Sequence, residues 1–249
     1  MRGQGEGPGG GAAGDGGLED GSPGALPLTW WEEDFLLLGD GALLRCTGNT
    51  LLVADLHLGK EAVFRSRGLP IPEGAGTETL DRLARTCLDR HVREVVILGD
   101  LVHGPEAWTP ETIDALLRWR ARIPGEVWWI LGNHDRTAGP PPCPLGIREV
   151  EDEAYRGRFL LRHEPPAGDG PESPQPVICG HLHPVIRLRA PGIRARPACF
   201  VVDPQVMILP AYGIFTGGYA VERRSRRRLF AAAGSTVVEV GRGSARSGG

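Results

Sequence analysis

Short apolar runs alternate with amphipathic stretches through the first 146 residues of the chain. The runs are bounded by Gly-containing turns, which is typical of buried strands, and the stretches carry apolar residues at helical spacing. The pattern predicts strands over Phe35–Leu38, Ala42–Cys46, Thr50–Ala54, Glu94–Leu98 and Val127–Leu131, and helices over Gly76–Arg90 and Pro110–Ala121. Because strands and helices alternate from the third strand onward, the pattern indicates parallel pairing in an α/β fold.

The second half of the chain has a different pattern, with short apolar runs separated by Pro- and Gly-containing turns and little helical spacing. Strands are predicted over Phe159–Arg162, Val177–Cys179, Val185–Leu188, Phe200–Val202 and Val206–Leu209. The Pro/Gly-rich stretch Glu164–Pro176 predicts a surface loop. We therefore expect a second sheet that packs against the first.

The two ends of the chain lack the apolar residues that a folded core needs. Residues 1–25 are mostly Gly with scattered acids and Pro, and residues 241–249 have a similar composition. Such segments cannot bury enough apolar surface to offset the entropy lost on ordering, so both are predicted to be disordered. Residues 26–240 are predicted to form one domain.

Composition restricts the class of protein. The net charge of −3 gives no overall electrostatic attraction for nucleic acid, so basic residues can act only as local patches. The five cysteines include no C-x-x-C pair, which favours a reduced, cytoplasmic protein. The N-terminus has no signal-peptide pattern, and no apolar stretch approaches the ~18 residues that span a bilayer. Secretion and membrane insertion are therefore not expected.

Polar clusters follow three of the predicted buried strands. They are Asp55-Leu56-His57, Gly99–His103 and Gly132–Asp135. In an open α/β sheet, ligands bind beyond the carboxyl ends of the strands, so these clusters are expected to meet at one edge of the sheet. Carboxylate and amide oxygens together with imidazole nitrogens, without thiolates, suit manganese, iron or zinc.

Three histidines in the second half complete the candidate metal ligands. His163 follows a predicted strand, and His181 and His183 flank a single residue, so in an extended segment their rings project from one face. Each motif taken alone could also be a turn, a helix cap or a chance occurrence. Their combination on successive strand ends predicts a metal pair, and two cations about 3.5–4 Å apart would let a bridging hydroxide attack a phosphate ester.

The motifs D-x-H, G-D-x-x-H, G-N-H-D, H and G-H-x-H, in this order between Leu51 and Leu209, resemble the calcineurin-like metallophosphoesterase superfamily. The resemblance implies an α/β fold, a four-layer α-β-β-α sandwich of two mixed sheets with flanking helices, and a site for two metal ions. It implies these ligands: Asp55, His57 and His183 for one metal, Asn133, His163 and His181 for the second, and Asp100 as the bridge. By the same resemblance, His134 would stabilise or protonate the leaving oxygen, and Asp135 would orient His134.

A narrower resemblance links the chain to the DNA ligase-associated metallophosphoesterases. It rests on the stretches Asp55–Lys60, Phe64–Pro70, Cys179–Pro184, Leu209–Gly213 and Thr216–Gly218. It implies a manganese-dependent phosphodiesterase that cleaves DNA, single-stranded or flexible, in bacterial repair. It also implies functional association with a DNA ligase, a helicase and an exonuclease.

Basic residues outside the motifs leave the substrate open. Lys60, Arg65 and Arg67 could contact a phosphate backbone or be solvated surface charges. The run Arg223–Arg228 could be a nucleic-acid contact or a solvated turn. His103 could contact substrate or, as we favour, support the metal ligands from behind.

Three functions are consistent with these motifs. The first is a DNA phosphodiesterase or endonuclease in repair, and the second is a phosphodiesterase or phosphatase of small molecules such as nucleotides. The third is a scaffold that has lost catalysis. The complete ligand set argues against the scaffold, because a relict site has no physical reason to keep every costly polar ligand.

Overall fold

The structure is a computed structural model, and it describes residues 24–66, 68, 74–167, 174–190, 193–214 and 216–240. The segments predicted to be disordered, 1–25 and 241–249, lie outside these residues except for Gly24 and Ala25, where the first strand begins. All five cysteines are unpaired. None of the described helices has the length and apolarity needed to cross a membrane.

The first sheet contains seven described strands, which follow one another in chain order. They are β1 (Ala25–Trp30), β2 (Glu33–Leu38), β3 (Leu43–Arg45), β4 (Thr50–Val53), β5 (Glu94–Leu98), β6 (Glu126–Ile130) and β7 (Arg148–Val150). Neighbours are antiparallel from β1 to β4 and parallel from β4 to β7. The parallel half confirms the pairing predicted from the alternation of strands and helices.

The described helices connect the parallel strands of the first sheet. They are α1 (Lys60–Ser66), α2 (Ala75–Asp89), α3 (Pro110–Arg122) and α4 (Asn133–Ala138). Helices α2 and α3 cover the outer face of this sheet, where Leu83, Leu116 and Trp119 are buried. The side chain of Thr109 caps α3 by accepting a hydrogen bond from the Thr112 N–H over 3.2 Å. Both long helices agree with the amphipathic pattern.

The second sheet contains nine described strands of mixed direction. They are β8 (Glu153–Arg156), β9 (Phe159–Arg162), β10 (Val177–Cys179), β11 (Pro184–Val185), β14 (Ala198–Val202), β15 (Val206–Ile208), β16 (Tyr219–Ala220), β17 (Arg228–Ala232) and β18 (Val237–Glu239). Strands β12 (Leu188–Ala190) and β13 (Ile193–Ala195) form a separate hairpin outside this sheet. The main path runs β16-β11-β14-β15-β10-β9-β8 from edge to edge, and β17 and β18 extend it from β14. Strand β10 is parallel to β9 and β15.

The two sheets pack face to face around an aromatic core. Phe35 from the first sheet and Phe159, Phe200 and Phe230 from the second are buried between them. Trp30 stacks on Phe159 with ring centroids 5.5 Å apart. Because each buried aromatic side chain removes about 150–250 Å² of surface from water, this layer holds the two sheets in a fixed relation.

The predicted α/β fold of two mixed sheets with flanking helices is confirmed. All described helices lie before Gly139, and the two long ones pack on the first sheet. On the outer face of the second sheet, a cluster that includes Leu160, Cys179 and Val201 is covered by loops and short strands, with no helix among the described residues. The chain after Gly146 is divided by Pro and Gly into runs that are too short for a long helix.

Candidate metal centre

The seven predicted ligands meet at one edge of the sandwich. Each lies in a segment that follows a strand: Asp55 and His57 after β4, Asp100 after β5, Asn133 after β6, His163 after β9, and His181 and His183 after β10. Strands β4, β5 and β6 are parallel neighbours, so their carboxyl ends lie at the same edge. The ends of β9 and β10 face that edge from the second sheet. This is the convergence that the strand ends predict.

The first cluster of ligand atoms belongs to Asp55, His57 and His183, with Asp100 at its boundary. His57 Nε2 lies 3.1 Å from His183 Nε2, and His183 Nε2 lies 3.4 Å from Asp55 Oδ1. One ligand atom from each of these four residues lies within 4.8 Å of the others. Imidazole nitrogens and carboxylate oxygens that converge in this way match the ligands of a divalent cation.

The second cluster belongs to Asn133, His163 and His181. Asn133 Oδ1 lies 3.1 Å from His163 Nε2 and 3.1 Å from His181 Nδ1. The two ring nitrogens are 3.0 Å apart. His163 is buried, whereas Asn133 is exposed, so this cluster opens to solvent on one side.

Asp100 lies between the two clusters. Its Oδ2 is 3.6 Å from His57 Nε2 in the first cluster, and its Oδ1 is 3.5 Å from His163 Nε2 in the second. One carboxylate oxygen therefore faces each cluster, as a bridging ligand requires. Burial raises the pKa of the Asp100 carboxyl, so the anion is disfavoured unless positive charge lies beside it.

One of the two buried carboxylate oxygens of Asp55 lacks a hydrogen-bond partner among the described residues. Its side chain is fully buried, and Oδ2 accepts a hydrogen bond from the His181 N–H over 2.9 Å. Among the described residues, Oδ1 has no hydrogen-bond partner. Leaving a buried polar atom unpaired costs about 1–3 kcal/mol, and more for a charged group. A divalent cation in the first cluster would offset this cost, so the residues present fit a metal ion.

Backbone carbonyls orient two of the histidine rings toward the clusters. His163 Nδ1 lies 2.9 Å from the carbonyl oxygen of Leu98, and His183 Nδ1 lies 3.2 Å from that of Gly217. In both rings Nδ1 is therefore bonded to a carbonyl and Nε2 faces the clusters. Burial lowers the pKa of His183, but the hydrogen bond and charge of the Asp55 carboxylate outweigh it and raise that pKa. Burial first, and then the neighbouring histidines, lower the pKa of His57 to about 2, which keeps its ring neutral. Neutral imidazole is the form that binds metals.

The candidate ligands carry much of the unusual backbone geometry of the protein. Positive φ angles occur at nine described non-glycine residues, and five of these are candidate ligands: Asp55 (56°), His57 (47°), Asp100 (52°), His181 (71°) and His183 (45°). Such conformations cost about 1–3 kcal/mol each and persist where the surrounding structure imposes them. Their concentration here is typical of a functional site.

Two motif glycines allow the ligands to approach one another. A Cβ on Gly99, where φ is +81°, would lie 2.1 Å from His163 Nδ1. A Cβ on Gly132 would lie 2.2 Å from Asp100 Oδ1. The glycines of the G-D and G-N-H-D motifs are therefore needed because a side chain would displace the ligands.

His134 lies beside the first cluster, and a backbone carbonyl orients its ring. Its Nδ1 lies 2.7 Å from the carbonyl oxygen of His103, and its ring stacks on the His103 ring with centroids 4.6 Å apart. The ring centroid is 4.9 Å from that of His57. With Nδ1 bonded to a carbonyl, Nε2 is the atom of His134 that remains for substrate chemistry.

The expectation that Asp135 orients His134 is wrong. Asp135 Oδ2 accepts hydrogen bonds from the Trp129 indole N–H (2.9 Å) and the Gly132 N–H (2.8 Å), and Oδ1 accepts one from the Val102 N–H (3.1 Å). Consecutive residues of a helix point about 100° apart, so the side chain of Asp135 enters the core while that of His134 faces the clusters. Asp135 ties the loops after β5 and β6 together. Burial, the largest influence, raises its pKa to about 6.

His103 lies against a candidate ligand. Its Nδ1 is 3.1 Å from His57 Nδ1, on the side of that ring opposite to the metal cluster. The two rings meet edge to face with centroids 5.0 Å apart. His103 thus packs directly against a proposed metal ligand.

The three basic residues that follow the first motif do not share one location. Lys60 is half-buried at the start of α1 and lines a small recess together with His57 and Thr216. Burial lowers the pKa of its ammonium group. Arg65 lines a separate cavity of about 210 Å³ beside α2 and α3 that contains no candidate ligand. Arg67 lies outside the described residues. Of the two described members of this set, Lys60 is the one that lies beside the first cluster.

The arginine run between Arg223 and Arg228 divides into two parts. Arg227 pairs with Asp203 at 2.5 Å, and Arg228 pairs with Glu239 at 2.9 Å. These two arginines therefore have structural partners. The side chains of Arg223, Arg224 and Arg226 are exposed.

The sequence profile of the calcineurin-like phosphoesterases matches residues 48–185, more than half of the chain. The chain belongs to this family. Its structure is similar to the crystal structure of nuclease MPE from Pseudomonas putida, with 39% sequence identity, a TM-score of 0.74, and coverage of 87% of this chain and 100% of that one. No curated protein matches the chain.

Two further solved structures of lower similarity match the chain. Protein AQ665 of unknown function from Aquifex aeolicus has 19% identity and a TM-score of 0.37, over 54% of this chain and 78% of that one. Yfce, a phosphoesterase from E. coli, has 17% identity and a TM-score of 0.37, over 77% of this chain and 97% of that one.

As a calcineurin-like phosphoesterase, the protein is a metal-dependent hydrolase of phosphate esters with the binuclear metal site that is typical of the family. The buried Asp/His cluster around His57 agrees with this assignment. The likeness to a nuclease agrees with it as well.

Backbone carbonyls that fix the histidine rings have no signal in the sequence. Leu98, His103 and Gly217 hold three rings through their carbonyl oxygens. Every residue carries a carbonyl, so composition and spacing cannot identify these three. Gly217 lies in Thr216–Gly218, a stretch that supports the narrower family resemblance, but the resemblance assigns no role to Gly217.

Proposed function

We propose that this calcineurin-like phosphoesterase is a nuclease that hydrolyses phosphodiester bonds in DNA. The proposed ligands are Asp55, His57 and His183 for one cation, Asn133, His163 and His181 for the second, and Asp100 for both. The observation that carries the proposal is the position of Asp100, whose oxygens lie 3.6 and 3.5 Å from a ring nitrogen of each cluster. The 39% identity with a nuclease supports nucleic acid as the substrate. The exposed edge at Asn133 would also admit a polymer.

The charges of the proposed ligands favour a bound phosphate. Only Asp55 and Asp100 are anionic, so with two divalent cations the centre would be net positive and would attract a phosphodiester. Bound divalent cations supply charge stabilisation and a nucleophile that is active at neutral pH. Asn133 completes the second set with a neutral oxygen, which adds no negative charge against the substrate.

His134 is proposed to hold or donate a proton at the leaving oxygen. Its ring cannot turn freely, because Nδ1 donates to the His103 carbonyl and one face stacks on the His103 ring. A fixed ring presents Nε2 in one direction without an entropic cost at the moment of reaction. Asp135 is assigned no proton transfer, since its oxygens are bonded elsewhere.

Manganese is the cation that we propose, with iron and zinc as the alternatives. Oxygen and imidazole ligands without thiolate suit manganese, and the resemblance to ligase-associated phosphoesterases points the same way. Activity and binding measured with each of these cations separately would decide among them. A preference for zinc at equal free concentration would count against manganese.

The proposed cellular role is DNA repair in the cytoplasm, in functional association with a DNA ligase, a helicase and an exonuclease. This part rests on the narrower family resemblance. Five unpaired thiols suit a reducing compartment. Sensitivity of a deletion strain to DNA damage, restored by the wild-type gene but not by an Asp100→Ala gene, would support the role.

The direct test of the nuclease proposal compares four substrates in the presence of manganese. They are single-stranded DNA, duplex DNA, bis(p-nitrophenyl) phosphate and p-nitrophenyl phosphate, each with Asp100→Ala as the control. We expect cleavage of DNA and of the small diester by the wild-type protein, and none by the variant. Cleavage of the small diester without any cleavage of DNA would contradict the proposal and favour a small-molecule phosphodiesterase.

A further inference from the structure

A groove runs along the edge strand β16 of the second sheet, close to the first cluster. Its volume is about 450 Å³. Arg187, Arg196, Tyr219 and Arg223 line it together with Glu222, and the side chains of all five are exposed. None of these residues belongs to the metal centre described above.

The groove is physically continuous with the metal centre. The Tyr219 N–H donates a hydrogen bond to the His183 carbonyl over 3.0 Å, and Pro184 pairs with Tyr219 in the parallel register of β11 and β16. On the other side, the His183 ring is held by the carbonyl of Gly217 at 3.2 Å. Tyr219 is thus one strand away from a proposed metal ligand.

The side chain of Tyr219 is largely exposed to solvent, so it is not needed for packing of the core. Its relative exposure is 69%, the highest among the exposed large hydrophobic residues of the described chain. It lies on a two-residue edge strand whose hydrogen bonds with β11 are made by its backbone. The phenol ring therefore contributes little to the core, and its face is open to a planar partner.

The charge of the groove is opposite to that of the whole chain. The groove is lined by Arg187, Arg196 and Arg223 and by a single acid, Glu222, whereas the whole chain carries a net charge of −3. Arg196 Nη2 donates to the Gly218 carbonyl over 2.9 Å, which fixes that guanidinium at the groove wall. A local concentration of arginine beside an aromatic face suits a chain of phosphates and bases.

We infer that this groove holds the unpaired nucleic-acid strand next to the scissile phosphate, with a base stacked on Tyr219 and phosphates on the arginines. The inference rests on the proposed nuclease function and specifies how the substrate is positioned. A single strand is the occupant that the groove favours, because a base can stack on a side chain only when its face is not covered within a duplex.

The first test compares Tyr219→Ala with Tyr219→Phe and with Tyr155→Ala. Tyr155 is a matched control, since it is 51% exposed and lies on β8 at the opposite edge of the same sheet. The readout is the ratio of kcat/KM for a single-stranded oligonucleotide to kcat/KM for bis(p-nitrophenyl) phosphate. Tyr219→Ala should lower this ratio about 5- to 150-fold through KM, which corresponds to 1–3 kcal/mol for one stacked base. Tyr219→Phe and Tyr155→Ala should change it less than about twofold, because stacking needs only the ring.

The second test measures the salt dependence of oligonucleotide binding with Arg187→Gln and Arg223→Gln. Each lost phosphate contact should reduce the slope of log K against log[salt] by about 0.7 for a single strand. Arg118→Gln is the control, since Arg118 is exposed on α3, away from the second sheet. Unchanged slopes in both groove variants would contradict the assignment of phosphates to this groove.

The outcomes separate this inference from the function on which it rests. If the wild-type protein cleaves oligonucleotides and Tyr219→Ala keeps the wild-type ratio, the groove inference fails while the nuclease proposal stands. An equal loss on single-stranded and fully duplex substrates would also overturn it, because stacking requires an unpaired base. If the wild-type protein hydrolyses the small diester and neither cleaves nor binds any oligonucleotide, the proposed function fails and the inference fails with it.

Discussion

The ring of His134 donates a hydrogen bond from Nδ1 to the backbone carbonyl of His103, 2.7 Å away. The loop after β5 therefore orients a residue of helix α4, which follows β6. Because the anchor is a backbone atom, substitution of the His103 side chain would not remove it. The orientation of His134 therefore depends on the position of the backbone after β5, not on the His103 side chain.

His134→Ala should slow hydrolysis of a poor-leaving-group diester by ~10² or more, the usual size of a proton-transfer or charge-stabilising contribution. The loss should be smaller with p-nitrophenolate as the leaving group, because that anion needs no protonation. Rates on both substrates, together with manganese stoichiometry by calorimetry, provide the measurement. An unchanged rate on the poor-leaving-group diester would refute the role, and a lost metal would mean that His134 is a ligand.

Asp135→Ala should destabilise the protein, because three buried N–H donors lose their acceptor. At about 1–3 kcal/mol for each unsatisfied buried donor, partly relieved by water, a fall in Tm of roughly 5–15 °C is expected. Asp152→Ala is the control, since that acid is exposed and pairs with an exposed arginine. Equal values of Tm for the two variants would show that the Asp135 carboxylate does not tie the loops together.

Gly99→Ala should disrupt the second cluster, because the new Cβ would lie 2.1 Å from His163 Nδ1. We expect manganese stoichiometry to fall from two to one, with loss of hydrolysis. Gly234→Ala is the matched control, since Gly234 also has a positive φ (+66°) but nothing within 4 Å of the added Cβ. Both substitutions place a side chain at a positive φ and strain the backbone, so the two variants differ only in the steric clash with His163. A normal metal content in Gly99→Ala would contradict the predicted packing.

Asp55→Asn should stabilise the protein when metal is removed, even though it should abolish activity. In the absence of a cation, Asp55 Oδ1 is a buried anionic oxygen without a hydrogen-bond partner among the described residues. Removing that charge should raise Tm in EDTA by roughly 2–8 °C relative to the wild-type protein. Manganese should reverse the order, because it binds and stabilises only the wild-type site. A lower Tm for Asp55→Asn in EDTA would argue against an unmet charge.

Local patterns predicted the elements that carry the ligands. The strands β5, β9 and β10 cover their predicted residues. Helix α2 begins and ends one residue earlier than predicted, and α3 ends one residue later. These elements have strong signals because their apolar positions face a core that is continuous along the chain. The placement of ligands after strand ends followed from the same pattern.

Features that depend on distant contacts were not accessible from the sequence. Strand β1 begins at Ala25, directly after a Gly-rich segment, and is defined by its pairing with β2. The short helices α1 and α4 have too few residues for a periodic signal, and their stability comes from packing. The Asp135 carboxylate accepts hydrogen bonds from two backbone N–H groups and one indole that lie apart in the sequence, so its contacts differ from the role that the family resemblance implied.

Seven side chains from five segments that follow strands are proposed to hold a pair of cations around Asp100. Anomalous scattering from crystals grown with excess manganese tests it most directly. We expect two peaks about 3.5–4 Å apart, one on each side of the Asp100 carboxylate, with the other six side chains at coordinating distance. A single peak, no peak, or a pair of peaks away from Asp100 would contradict it.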